Sequence, residues 1–515
     1  MKSPLIALLL LTLPASYAGA QTKTSCKPDT TAPTAADIAL FHNNDKEAEE
    51  LYRAELQTNA DDEHAHFGLV RTLLDASKGK DAENIATAFL AAHPQSSIAE
   101  TAMAGLLQFQ GKIPEAYQHA SKALALNPCN GYAHYRLGAL LRINSMSLSA
   151  KEHWNAAHTL LPNDEWTTQA WMKWLPVTES IAAEEAYLQT DLDDQTRQTT
   201  ANWIDFAKSR QQSPCTVRSA SVSGKIKFAP LYQERAPAIN GWTPFGDIYG
   251  RWVVQVEMNG VKTNLILNTD RDEILLSRKE ALKIGLTVPP PSTGKGNNTY
   301  RAKVKSMKIG GLEYENCSVV VKGESTVAGV EGLLALGALR DSMVSLDFQA
   351  REMTLDPLPA APPEYGTDRD IHNRYVAPEM KSWSPAYHNF ELWLVPTRVA
   401  DKQSGLFMLS IEDQTDDLDL EFAKPIAKLE KDTSTTLGNP QDEIHPMVAR
   451  NDLTLQFAGV REKDSLMLAY PLSGYYQRVY GITVSGTLGL ESFAHAVLQL
   501  DYRDGLIKVS PAAKH

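Results

Sequence analysis

The residues with the most chemistry to offer lie in the polar loop Asn268-Thr269-Asp270-Arg271-Asp272, which follows an apolar run within NLILNTDRDEILLS, Asn264–Ser277. Carboxylates do acid-base work in facing pairs that share one proton: one ionises and activates water, while the other stays neutral and polarises a carbonyl. Other chemistries have weaker footing. Ser277 and Ser485 lack a nearby His and any GxSxG context, and read as turn or strand serines. Cys26, Cys129, Cys215 and Cys317 lie far apart with no CxxC or Cys/His ligand spacing, and the 13 His residues form no HExxH. His64, His66, His153 and His158 read as helix decoration, so no metal site and no cofactor are expected.

A loop of this kind needs strands to hold it. RWVVQVEMNGVKTNLIL alternates apolar and polar residues on both sides of Asn259-Gly260, the pattern of two antiparallel strands joined by a tight turn. The second strand runs into Asn268, and ILLS and a helical KEALKIGL follow. This order resembles the retropepsin-like aspartyl protease domain, whose strand delivers Asp-Thr-Gly-Ala-Ser at this place. The resemblance implies that Asn268 occupies the catalytic aspartate position, Thr269 the threonine, Asp270 the glycine, Arg271 the alanine and Asp272 the serine. It extends to a flap-like hairpin (YRAKVKSMKIGG and YENCSVVVKG) after the turn VPPPSTGKGNN. Gly332-Leu333-Leu334-Ala335 corresponds to the segment that threads under the loop, and VSLDFQAREMTLDP to the last strand pair.

The same order then repeats. ELWLVPTRVADKQSGLFMLSIEDQ gives a hairpin and loop, DLDLEFAKPIAKL a short helix, DLTLQFAG a strand, VSGTLGLESF the threading segment and LQLDYRDGLIKVSP the final hairpin. Gly332 and Gly486, like Asp347 and Asp501, are separated by 154 residues, so the ends of the two units stay in register. The second loop reads Ser410-Ile411-Glu412-Asp413, with Ser410 at the aspartate place and Glu412 at the glycine place. Ala281 and Ala423, each 13 residues after Asn268 and Ser410, support that frame. Asn268 is nearly isosteric with Asp but takes up no proton near neutral pH, and Ser410 is too short and too weakly acidic to replace a carboxylate. Asp270 and Glu412 bring bulk and charge to a seam that glycines keep open, so either the loops splay apart or these carboxylates point to solvent. Asp270 with Asp413 is the alternative, a shifted acid pair, which requires a slip of two residues in one loop and three in the other.

The N-terminal half carries a different repeat. Ala48, Ala82, Ala116 and Ala150 follow one another at 34 positions, and Pro94, Pro128 and Pro162 each lie 12 positions after the last three. In HYRLGALL, Leu137-Gly138 and Leu141 sit where a helix needs a close-packing glycine between apolar neighbours, with Trp154 and Ala157 on the next helix. Period and phase resemble the tetratricopeptide repeat. The resemblance implies stacked helix pairs with a concave groove for a protein or peptide, or else a spacer or oligomerisation arm.

At 515 residues, 43% hydrophobic and 22% charged, the chain is globular and too long for a single core. A net charge of −12 argues against a nucleic-acid partner. Met1–Ala20 has one Lys, an apolar run and Ala18-Gly19-Ala20 before Gln21, the layout of a secretory signal. No later window approaches the ~20 apolar residues of a membrane span, so no stable anchor is expected after cleavage. Export, to a periplasm or to the medium in a bacterium, allows one or two disulfides, though free buried thiols are equally compatible with the spacing.

The expected fold is α+β and multidomain: an N-terminal α-solenoid of tetratricopeptide repeats, then two all-β retropepsin-like (acid-protease barrel) units. The boundaries are signal 1–20, helical array with capping helices 31–212, linker and leading strands 213–249, first β unit 250–357, proline-rich linker 358–385 and second β unit 386–515. Three functions follow from these pieces. One is an exported protein- or extended-peptide-binding protein with a catalytically degenerate protease-like module. The others are an active aspartic-type endopeptidase using the shifted pair, and a repeat scaffold with inert β units.

Overall fold

The computed structural model describes residues 26–190, 192–212, 215–218, 222–230, 251–288, 300–323, 330–360, 371–431, 446–449, 452–464 and 467–512. The signal-like Met1–Ala20, most of VPPPSTGKGNN, and parts of both linkers lie outside the described residues.

The 34-residue period is set by small residues in the helix interfaces. Four helix pairs follow in order: Ala35–Phe41 with Asp45–Thr58, Glu63–Asp75 with Gly79–Ala92, Ser97–Phe109 with Ile113–Leu126, and Gly131–Ile143 with Ser147–Leu160. Ala48, Ala82, Ala116 and Ala150 are all fully buried on the second helices. A Cβ on Gly138 would lie 2.5 Å from the Trp154 ring, and one on Gly68 2.3 Å from Tyr52, so these aromatics rest directly on backbone. The helix N-caps keep the same period. Asp62, Ser96, Asn130 and Asp164 are N-caps, each side chain accepting the backbone N–H three residues on.

Three more helices, Glu165–Lys173, Val177–Tyr187 and Asp194–Gln212, extend the array. The array curls back on itself. Arg71 reaches Asp164 at 3.4 Å and lays its guanidinium 4.2 Å from the centre of the Trp166 ring. The N-terminal stretch bridges the curl, with Cys26 disulfide-bonded to Cys129 and Asp29 N–H donating to the Leu160 carbonyl at 2.8 Å. Cys215 and Cys317 form the second disulfide.

Beyond the array the chain is a β-barrel-rich region, so the architecture is α+β. In the first unit, strands Trp252–Met258 and Val261–Asn268 turn at Asn259-Gly260, both at positive φ. Ile274–Ser277 and helix Arg278–Lys283 follow. In the second unit, Leu392–Val399 and Gln403–Leu409 are the equivalent hairpin. Asp417–Asp419 then forms a short strand before helix Leu420–Ala423, which Asp419 caps.

Each threading segment is a strand. Gly332–Ala335 runs parallel to the first loop strand, Leu267 opposite Leu334, and antiparallel to Ile274–Ser277. Gly486–Leu488 repeats this with Leu409 opposite Leu488 and Leu418 opposite Gly486. Only glycine fits at the head of either segment, since a Cβ would meet the Leu275 carbonyl oxygen at 1.9 Å or that of Asp417 at 2.3 Å.

The two units join through their final hairpins. Ser342–Asp347 pairs antiparallel with Ala496–Asp501, with Val344 opposite Leu500, Leu346 opposite Leu498, and Ser345 opposite Gln499. Since Val344 and Leu346 correspond to Leu498 and Leu500 in the 154-residue register, a local two-fold axis passes through the Ser345–Gln499 pair. Strand Gly224–Pro230, in the stretch read as linker and leading strands, pairs with both Glu352–Pro357 and Trp252–Met258 and so widens the same sheet.

The second unit also carries the helical array. Leu392, Leu394, Leu406, Met408, Ile482 and Val484 share one buried cluster with Ala104, Ile113, Leu137 and Leu140. Thr483 donates both its N–H and its hydroxyl to the Phe109 carbonyl, at 2.7 Å each. The connector contributes as well, Ser147 N–H donating to the His372 carbonyl and Arg374 to Asn144 Oδ1.

Candidate functional site

The two polar loops are the C-terminal ends of matching strands, and the two-fold relation of the units brings them face to face. Thr269 is fully buried between them. Its hydroxyl donates to the Leu409 carbonyl at 3.0 Å and accepts the Ile411 N–H at 3.2 Å. Its own N–H donates to Glu412 Oε1 at 2.5 Å. Ser410 N–H donates to the Leu488 carbonyl, fixing the second loop to its threading strand.

Neither arrangement expected for Glu412 occurs. The loops do not splay, and the side chain does not turn outward; it fills the seam and becomes a strut between the units. Besides Oε1 on Thr269 N–H, Oε2 lies 3.3 Å from Thr269 Oγ1 and 3.1 Å from Ser410 Oγ. Each of these hydroxyls carries one proton and has two acceptors within reach. Thr269 has one hydroxyl proton, which the Leu409 carbonyl takes because it can only accept. Ser410 also has one, and its shorter contact is to Asp413 Oδ2 at 2.9 Å. A proton held on Glu412 Oε2 satisfies one of its two contacts. Burial, together with the charge of Asp270, pushes this carboxyl up to about 8. Tyr502 is buried, its hydroxyl held protonated chiefly by burial and next by the charge of Asp272.

Asn268 and Ser410 occupy equivalent places and do equivalent things. Both are buried, and each donates to a carboxylate of its own loop: Asn268 Nδ2 to Asp270 Oδ1 at 2.5 Å, Ser410 Oγ to Asp413 Oδ2. Asp270 and Asp413, one from each unit, therefore flank the seam in which Glu412 meets Thr269. Asp413 is open to solvent on one side, yet burial raises its carboxyl above the usual range, with the Asp270 charge adding to the rise. Asn268 Oδ1 has no hydrogen-bond donor.

The surroundings of these carboxylates were not legible in the sequence. Tyr476, on helix Ser473–Tyr480, has its hydroxyl held protonated by burial and by the charges of Asp413 and Asp270. Tyr470 donates to Asp417 Oδ2 at 3.1 Å. Tyr475, Val479 and Phe390 are exposed apolar side chains around the same helix. Arg271 stands 4.0 Å from both Asp270 and Glu391, at the outer edge of ion-pair range. The only sequence signal was the tyrosine density of SGYYQRVY, which reads equally as an amphipathic helix.

The discounted serines are structural. Ser277 caps helix Arg278–Lys283, and the Ser485 carbonyl accepts Asp419 N–H. His64 pairs with Asp37, itself in the capping box of the first helix. Among the described residues no group of three or more His, Cys, Asp or Glu is placed to hold a metal ion, and no helix is long and apolar enough to cross a membrane.

No family model matches the chain, and no curated protein matches it. Solved structures do. A thermophilic tetratricopeptide-repeat protein of Thermus thermophilus aligns over 32% of this chain and 94% of its own, at 17% identity and a TM-score of 0.27. Yeast Tom70 aligns over 34% of this chain and 39% of its own, at 14% identity and a TM-score of 0.27. A retropepsin-like aspartic protease from Rickettsia conorii aligns over 27% of this chain and 92% of its own, at 18% identity and a TM-score of 0.18. These likenesses concern stretches of fold, and no residue role passes from them to this chain.

Proposed function

We propose that this chain is an exported protein- or peptide-binding protein whose cleft between the two β units holds an extended peptide without cutting it. The observation that carries this reading is the filled seam. A half-buried Glu412, its carboxyl raised toward the neutral form, ties the loops together where two facing acids would need an open approach, and Asn268 and Ser410 stand at the two central places. A helical array packed on the second unit through an apolar interface adds a second binding element on the same body. Two disulfides and the signal-like Met1–Ala20 support export to a periplasm or the medium. Binding of overlapping extended peptides to the full chain tests the proposal. Micromolar capture with no cleavage products supports it, and product release sinks it.

A second reading is favoured by one specific contact pair. Asn268 and Ser410 each orient a carboxylate, so Asp270 and Asp413 form a candidate shifted acid pair for an aspartic-type endopeptidase. Turnover of denatured casein at acid pH, inhibited by a pepstatin-like compound and lost in Asp270→Asn, would establish it.

A further inference from the structure

We propose that the inner face of the helical array holds an acidic polyproline II segment of a partner, with two Asp or Glu side chains three residues apart, one at Arg136 and one at Arg142 and Lys173. This rests on the reading of the array as a second binding element and specifies the chemistry of its ligand.

The repeat itself shows which face is inner. Arg71 reaches across the curl to Asp164 and Trp166, so its position faces inward. The same position in the next three units, at intervals of 34, is Gly105, Ala139 and Lys173. Gly105 and Ala139 keep the middle of this face low, and the Arg136 guanidinium lies over Gly105, its Nη2 3.1 Å from where a Cβ would stand. Water reaches the face: Lys173 is exposed, and Tyr135, Arg136 and Arg142 are half-buried. Protein still surrounds it, since burial is the leading influence on all four side chains, lowering the three cations and raising the Tyr135 hydroxyl. A surface both wet and enclosed is a groove.

The charge in this groove is uncancelled. Arg71 has Asp164 at 3.4 Å. Arg136 instead gives Nη1 to the amide oxygen of Gln108 at 3.1 Å, and Arg142 gives Nη2 to that of Asn389 at 3.1 Å, with the Phe390 ring centre 5.0 Å away. An amide oxygen orients a guanidinium and leaves its charge standing. Among the described residues no carboxylate comes within ion-pair distance of Arg136, Arg142 or Lys173. The acids in range are weak counterweights. Burial pushes Asp75, which acts on Arg136, and Glu184, which acts on Lys173, each up to about 7, so both are partly neutral near neutral pH. Arg142 acts on Lys173 in the opposite sense, one cation against another. In a chain with 62 acids and 50 bases, three such cations on one inner face mark a place for an anion from elsewhere.

Spacing selects the form of that anion. Arg136 and Arg142 are six residues apart on helix Gly131–Ile143, about 9 Å along its axis, too far for one carboxylate to serve both. In polyproline II, side chains three residues apart share one edge at about the same 9 Å. The rings of Tyr135 and Trp166, with centres 6.5 Å apart, supply the aromatic lining on which proline packs. The Tyr135 hydroxyl, beside Arg136, has no partner among the described residues and adds a donor.

The test uses the full, disulfide-intact chain and the acetylated, amidated peptide Ala-Ala-Glu-Pro-Pro-Glu-Ala-Ala. Three companions replace both Glu by Gln, replace both by Lys, or omit one Pro. Calorimetry at low salt is expected to give at least ten-fold tighter binding for the Glu peptide than for the Gln peptide, weaker binding still for Lys, and a several-fold loss when one Pro is omitted. The Glu preference should shrink as salt is raised. It should collapse in Arg136→Gln/Lys173→Gln, whose fold is checked by circular dichroism, and sharpen in Asp75→Asn, which removes a resident acid. A lost structural contact would weaken Glu and Gln peptides alike, so the ratio between them is the readout. Equal affinity for Glu and Gln, a ratio that survives the double variant, or indifference to the omitted Pro overturns this inference while leaving the array as a binding element. Tight binding by the Gln peptide once its C-terminus is a free acid assigns the groove to a chain end and overturns it too. Failure of all four peptides to bind also overturns it, while capture of other extended peptides by the full chain still decides the broader reading.

Discussion

Thr269 and Glu412 lock the two β units together: the backbone N–H of one donates to the carboxyl of the other at 2.5 Å, and the Thr269 hydroxyl bridges to the Leu409 carbonyl and the Ile411 N–H. Thr269→Val removes that hydroxyl without changing the shape of the side chain. It leaves the Ile411 N–H without its partner in a buried seam, so a loss of about 1–3 kcal/mol is expected. Denaturant unfolding measures it. A loss below about 0.5 kcal/mol would mean the bridge contributes little.

The charge state of Glu412 makes stability depend on pH. Its carboxyl titrates at about 8 in the folded chain against an ordinary 4.5, chiefly through burial and next through Asp270. Between those values the folded state holds a proton that the unfolded state has released. The stabilisation is complete below about 4.5 and is lost as pH rises through about 8. The thermal midpoint should therefore fall across that window, and Glu412→Gln should flatten part of the slope. Asp501, pushed up to about 7 by burial and by Asp504, slopes the same way. Only the difference between variant and wild type isolates Glu412, and parallel profiles would remove it from the role of neutral strut.

Glycines at the heads of the threading strands separate steric need from sequence habit. Gly332→Ala places a Cβ 1.9 Å from the Leu275 carbonyl oxygen, and backbone must move. More than 3 kcal/mol of destabilisation, or failure to accumulate as soluble protein, is expected, on the order of the largest single-site effects. Gly474→Ala is the control. It lies in helix Ser473–Tyr480 with no atom within 4 Å of a built Cβ, so a gain of roughly 0.5–1 kcal/mol is expected.

The disulfide Cys26–Cys129 spans 103 residues and holds the N-terminal stretch across the curl of the array. Cys26→Ser is expected to cost roughly 2–5 kcal/mol, mostly by freeing the unfolded chain. Helical circular dichroism during denaturation reads it. Cys26→Ser, Cys129→Ser and the double variant should match one another, since all remove one bond. A double variant clearly less stable than either single would contradict the pairing.

How much of this was legible depended on whether one face or two were covered. The helical repeat stood out because Ala48, Ala82, Ala116 and Ala150 recur at interfaces where only a small side chain fits. The frame of the two loops was legible because the Gly332 and Gly486 positions admit no other residue. What stayed hidden was what the units turn toward each other. Nothing in the letters Glu412 distinguishes a side chain pointing to solvent from one that is half-buried and bonded across a seam. That outcome depends on Thr269, 143 residues earlier, being the right distance away. Tyr476 lacked a signal for the same reason, since its helix is defined by what it overhangs.

The covering of the second unit by the helical array gives the last prediction. Strand Gln403–Leu409 ends in the apolar run Leu406-Phe407-Met408-Leu409, with no alternation to say which face is inside. Both faces are inside. Phe407 and Leu409 enter the barrel core, while Leu406 and Met408 enter the cluster shared with Ala104, Ile113, Leu137 and Leu140 of the array. In the first unit the position matching Leu406 is Asn264, which is half-buried, and the position matching Met408 is Ile266, which is buried. A side chain on the outer face of a free barrel would tolerate truncation. Here Leu406→Ala and Met408→Ala are each expected to cost about 2–4 kcal/mol, as core truncations do. Leu406→Asp should go further, releasing the array so that limited proteolysis separates it from the β units. If Leu406→Asp leaves both the unfolding midpoint and the proteolytic pattern unchanged, array and barrel are not one packed body in solution.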